Sequence, residues 1–221
     1  MPSAVISHQA PGLFLKIKYP KRIDGTAICF GAFVPDMNVI IDLFTSFRLR
    51  NITHSLLGLL IWTVPLAIIL SILFDRYIGP YIAKIAKKDS AIYKPLKFFG
   101  VDDWDVLKKK PFNKKFFIIA FYSALLGGLT HILLDLPSHE YIELLYPWFL
   151  LQSPDFLLIP IIDYGTIIIG QRQFEAVLTV YQLIWFIEDI ILLVISLNFL
   201  RYINKKNLVK EWYDNQNLNK N

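Results

Sequence analysis

The feature that most constrains this chain is a set of three apolar runs, each long enough to cross a bilayer. A helix needs about 20 mostly apolar residues to do so. Ile52–Phe74 meets this without a formal charge, holding His54 near its start and closed by Asp75 and Arg76. Phe116–Leu134 is a second run, holding His131 and ending at Asp135; Ala176–Leu200 is a third, carrying Glu188 and Asp189 near its middle. Composition agrees: 55% of the 221 residues are apolar and 19% charged, where ordinary globular domains carry about 25% charged residues. A soluble chain of this size still exposes about a quarter to a third of its surface, too much to hide such an apolar surplus. The expected fold is all-α, a multi-pass transmembrane helical bundle forming one membrane domain over residues 1–221.

Two further stretches are apolar but interrupted. Thr26–Phe47 contains Pro35, Asp36, Asn38 and Asp42 and reads as a polar-faced helix within the bundle or as two short interfacial pieces. Ile142–Gly170 contains Pro147, Pro154 and Pro160 with Glu143, Asp155 and Asp163. Broken backbone at membrane depth is tolerated only where protein or a wet cavity surrounds it. A broken or re-entrant segment, or two short helices, is expected there. Met1–Gly12 lacks the basic and apolar regions of a signal peptide, so the first apolar run is expected to be retained.

Orientation follows from Lys and Arg, since loops rich in them stay cytoplasmic. Residues 75–115 hold 11 Lys/Arg against 5 acids, residues 201–221 hold 5 against 2, and residues 136–175 hold one against 5. The expectation is a cell-membrane protein with the basic 75–115 loop and the 201–221 tail cytoplasmic and 136–175 outside. The loop's lysines, including Lys108, Lys109 and Lys110, then follow the orientation rule, and no nucleic acid partner is expected. Cys29 is the sole cysteine, which excludes an intramolecular disulfide.

The histidines gather toward the outer side. His54 opens one span, His131 lies near the outer end of another, and His139 follows just beyond; His8 lies in the unassigned N-terminus. His131 and Asp135 are four residues apart, hence neighbours on one helix face, and His139 and Glu143 repeat the spacing. Ligands one turn apart can clasp one divalent ion. A His–Asp pair can also simply satisfy itself, but ionisable groups in apolar runs are costly and usually functional. Asp36, after Pro35, reads on its own as a cap or turn residue. Ser7, Ser55 and Ser138 each adjoin a histidine, without a nucleophile-elbow pattern to support serine hydrolysis.

Ser7-His8, Pro35-Asp36, Thr53-His54-Ser55-Leu56-Leu57-Gly58 and Gly128-Leu129-Thr130-His131 with Asp135 together resemble small multi-pass membrane-bound metal-dependent hydrolases. These are distantly similar to zinc-dependent phospholipase C and related nucleases. The resemblance covers about residues 1–143. It implies that His54, His131 and Asp135 form a first metal site, that Asp135 bridges to an ion also held by His8, and that His139 and Glu143 contribute to another. It makes Asp36 the catalytic carboxylate that orients or deprotonates the attacking water. Against the soluble enzymes the chain is one histidine short and has no processed N-terminal residue as ligand, so one or two divalent ions, Zn²⁺ by the resemblance, are expected.

The function so expected is metal-dependent hydrolysis of a phosphoester in a lipid-like substrate, with the bilayer as partner and the metal site toward the outer face. The alternative is a transporter or binding protein moving metal ions or protons with the same His/Asp set, for which Glu188 and Asp189 should lie on the path. A third reading is a non-catalytic structural protein, whose polar set should be scattered rather than convergent.

Overall fold

A computed structural model describes residues 4–44, 49–105, 107, 109–136, 141–152, 154–169 and 172–210. Two short helices, α1 (Ala4–Ser7) and α2 (Gln9–Lys18), lead into α3 (Gly25–Phe33). A 3₁₀ turn over Val34–Met37 joins α3 to α4 (Asn38–Phe44), and α5 (Arg50–Thr53) follows. Then come the long α6 (Leu56–Ala86), the short α7 (Lys94–Phe98), α8 (Lys114–Asp135) and α9 (Val180–Lys205). Four of these stretches are long and apolar enough to cross a membrane: Gly25–Asp42, α6, α8 and α9. The fourth span is thus the interrupted Thr26–Phe47 stretch, where Pro35 sits inside the 3₁₀ turn. There its missing N–H costs less than it would mid-helix.

Side chains set the helix starts. Asp24 caps α3 by accepting from Thr26 N (3.0 Å) and Ala27 N (3.1 Å). Ser55 Oγ accepts from Gly58 N at 3.0 Å at the head of α6, and Asn113 Oδ1 from Phe116 N at 2.9 Å at the head of α8. These bonds satisfy amide groups that a helix N-terminus leaves open.

The structure departs from the sequence reading in three places. First, the chain is mostly helical but not all-α: β1 (Tyr141–Leu145) pairs antiparallel with β2 (Phe149–Gln152), and β3 (Pro160–Ile169) with β4 (Arg172–Thr179). Antiparallel hairpins, and not two short helices, therefore form most of the described part of Ile142–Gly170. Runs of Ile and Thr favour extended backbone, and Pro160 takes the first position of β3, where its missing donor is tolerated. Second, the third span begins at Val180, because Ala176–Thr179 completes β4. Third, residues 75–86, assigned to the basic loop, continue α6. Asp75 does not end that helix because it is buried and accepts from Lys110 N at 3.2 Å.

α3 and α8 form the tightest crossing. A Cβ on Gly31 would strike the Ala124 carbonyl, and one on Gly127 the Ile28 carbonyl, so only glycine lets the two backbones approach this closely, a small-residue contact common between membrane helices. Around it Ala27, Val34, Val64, Ala67, Phe116, Ile119, Ala120 and Ala124 make the apolar core. At the α3 N-terminus, Lys110 Nζ donates to both Asp24 oxygens at 2.9 Å and to Ser71 Oγ at 3.1 Å. Asp24 N in turn donates to Ser123 Oγ at 3.0 Å. A fully buried ion pair thus ties α3, α6, α8 and the 104–113 segment together at the end remote from Asp36.

Candidate metal centre

Four separate stretches of chain bring ionisable groups to one place. The α1–α2 junction supplies His8, the 3₁₀ turn after α3 supplies Asp36, the turn before α6 supplies His54, and the last turns of α8 supply His131 and Asp135. On α8 the i, i+4 spacing does what it implies: His131 Nε2 and Asp135 Oδ2 lie 3.4 Å apart. His54 Nε2 completes a near-equilateral triangle with them, 3.3 Å from each. Asp36 Oδ1 lies 3.3 Å from His54 Nε2 and 3.6 Å from His131 Nε2. Tetrahedral ligands at the usual zinc bond lengths, about 2.0–2.2 Å, are separated from one another by roughly 3.3–3.6 Å. The donor set therefore has the spacing that a small divalent ion requires. Two candidate ligand triads, His8/His131/Asp135 and Asp36/His54/His131, share His131.

Neighbouring groups aim these donors. His54 Nδ1 faces the Arg50 carbonyl at 3.3 Å and Thr53 Oγ1 at 3.0 Å. A carbonyl can only accept, so Nδ1 carries a proton; an ion that displaces the Nε2 proton would then find that nitrogen's lone pair aimed at the other donors, the arrangement typical of a ligating histidine. His131 Nδ1 meets His8 Nδ1 at 3.0 Å, and His8 Nε2 lies 3.9 Å from Asp135 Oδ1. His8, His54, His131 and Asp135 are all buried, whereas the Asp36 side chain keeps 29% of its exposure. The cluster therefore opens to its surroundings at Asp36.

The electrostatics favour positive charge. Burial opposes protonation of His54, but hydrogen bonds to Asp135 and Asp36 outweigh it and push the ring up to about 9. His8 is held below its ordinary value, first by burial and then by the charge of His131. Two carboxylates that draw a proton onto His54 would equally hold a cation.

Of the second predicted pair only Glu143 is described: it sits on β1, and its Oε1 accepts from Asn51 Nδ2 at 2.6 Å. Glu143 lines a small cleft with Arg50, Asn51 and His54 and belongs to neither triad. His139 lies outside the described residues. Sequence reasoning also missed the supporting roles of Thr53, Ser7 and Ser196. Adjacency signalled two of them, Thr53 preceding His54 and Ser7 preceding His8, whereas nothing in the sequence marked Ser196.

The chain matches, over residues 1–207, the family described as Domain of unknown function (DUF4184), and it belongs to that family. No curated protein and no solved structure shows a match.

Proposed function

We propose that this chain is a membrane-embedded, metal-dependent hydrolase that cleaves a phosphoester of a lipid-like substrate. The observation that carries the reading is the triangle of His54 Nε2, His131 Nε2 and Asp135 Oδ2 at 3.3–3.4 Å, with Asp36 at its open side. His54, His131 and Asp135 would hold one divalent ion, Zn²⁺ by donor type, as two histidines and a carboxylate do in catalytic zinc sites. Such an ion supplies Lewis acidity toward a phosphoryl oxygen and lowers the pKa of its water toward about 7. Asp36, the half-buried member, accepts the proton of the attacking water. The resemblance to membrane-bound metal-dependent hydrolases supports the phosphoester class. The four apolar spans support a substrate drawn from the bilayer, and the Lys/Arg distribution supports a site toward the outer face.

The test uses the full chain in nanodiscs, with metal content by mass spectrometry and turnover of a chromogenic phosphodiester and of phospholipid. About one zinc per chain is expected, with activity lost on chelation and restored by Zn²⁺. His131→Ala and Asp135→Ala should lose the metal, while Asp36→Asn should keep it and lose about 10²–10⁴-fold in rate, the usual worth of a general base. Unchanged metal content in both ligand variants, or full activity in Asp36→Asn, would overturn the proposal.

A further inference from the structure

Helix α9 meets the rest of the protein along a narrow seam. Its buried residues are Asp189, Ser196 and Ile203, spaced by seven and therefore on one face. Much of the rest of its surface is apolar and exposed, including Phe186, Ile187, Ile190, Ile191 and Val194. A carboxylate in such a helix is costly unless it has a specific partner. Here the partner is at the opposite end of the chain: Ser7 Oγ donates to Asp189 Oδ1, and Ser196 Oγ donates to the Ser7 carbonyl at 3.3 Å. Ser7 is fully buried and Asp189 is 5% exposed. Two hydroxyl-mediated bonds from one face of α9 thus grip both the side chain and the backbone of Ser7.

The residue after Ser7 is His8, and His8 meets the candidate centre most closely through Nδ1, 3.0 Å from Nδ1 of His131, while its Nε2 lies 3.9 Å from Asp135 Oδ1. For His131 Nε2 to present its lone pair to an ion, its Nδ1 must carry the proton and donate it, so His8 Nδ1 must be the acceptor. His8 performs that task only while its ring stays where α1 and α2 hold it.

We infer that Asp189 is a positioning residue: through Ser7 it fixes His8, and His8 in turn holds His131 in the tautomer and orientation that point Nε2 at the metal. The inference rests on the metal-site reading, but the anchoring itself is a property of the metal-free chain. It assigns mid-span Asp189 a mechanical role, and it explains why a helix so little covered by protein carries a carboxylate and a serine on one face.

The experiment compares Asp189→Leu, Asp189→Asn and the neighbouring control Glu188→Leu in the full chain in nanodiscs, with Ser7→Ala as a second route should Asp189→Leu fail to fold. The first readout is carbethoxylation of His8 by diethylpyrocarbonate in metal-free protein, mapped by mass spectrometry. Asp189→Leu and Ser7→Ala should accelerate it at least five-fold, and Glu188→Leu should not. The second is Co²⁺ titration followed through the visible ligand-field bands. Asp189→Leu should weaken Co²⁺ binding by about 10–100-fold, the usual effect of losing an outer-shell partner, and should change the band pattern. Asp189→Asn, which keeps an acceptor for Ser7, should restore both. Unaltered His8 reactivity, or an unaltered Co²⁺ spectrum and affinity, in Asp189→Leu would overturn the inference. If the parent chain takes up no Co²⁺ while His8 reactivity responds as stated, the metal-site reading fails and the link from Asp189 to a metal falls with it. The anchoring of His8 then stands alone.

Discussion

At the residue scale, the buried charges of the described residues include two clusters with opposite purposes. The His/Asp cluster concentrates donors around a site for a cation, whereas the Asp24–Lys110 pair closes on itself, with the lysine also bonded to Ser71 and the aspartate also capping α3. Removing one partner from a buried pair leaves an uncompensated charge, at a cost of about 3–5 kcal/mol. Lys110→Met should therefore lower stability by about that amount. Asp24→Asn combined with Lys110→Met should recover much of it, because asparagine still caps the helix. Thermal unfolding of the four members of this double-mutant cycle in detergent measures both effects. His131 and Asp135 were readable as a pair from their spacing alone, because i, i+4 neighbours on a helix meet whatever the rest of the fold does. His8 and Asp36 were not, since a lone histidine and a lone aspartate acquire partners only when distant segments are brought beside them.

At the element scale, the site depends on how closely α3 and α8 approach, since Asp36 follows the first and His131 lies on the second. Gly127→Ala would push a methyl group into the Ile28 carbonyl and the Ala32 amide, and backbone cannot rotate away. We expect a destabilisation of about 1–3 kcal/mol, the range for overpacking, together with reduced metal occupancy. Gly128→Ala meets the end of the Leu59 side chain first, which can adjust, so its effect should be smaller on both measures. Parallel thermal scans and metal analyses of the two variants make the comparison. The helices were legible as long apolar runs. Their ends and the hairpins were not. Asp75 looked like a helix terminator because its partner, the Lys110 amide, comes from a part of the chain 35 residues away. The Ile142–Gly170 stretch did not announce its hairpins because aliphatic runs read alike in strands and helices.

At the scale of the whole molecule, four candidate spans carry a donor cluster at one end and a basic, helical extension at the other. If the Lys/Arg asymmetry sets orientation, a chain with Cys29→Ser and a single new cysteine at Lys88 should react with an impermeant maleimide only after the cells are opened. The same chain with Tyr164→Cys should react in intact cells. The reverse pattern would move the metal site to the cytoplasmic face. Both positions are exposed, so labelling reports the side of the membrane and not burial.

The sequence by itself determined that this chain seeks a bilayer, that it forms long helices there, and that the few ionisable groups inside its apolar runs are the residues to question. These properties are local: they follow from segment length, hydropathy and spacings within one helix. Only the tertiary structure decided which of those groups meet. Convergence of His8, Asp36, His54 and His131 depends on packing between segments up to 123 residues apart; the grip of Asp189 on Ser7 spans 182 residues and the bond from Asn51 to Glu143 spans 92. No pattern within one segment carries the geometry of contacts set by glycine-tight crossings and caps elsewhere in the chain.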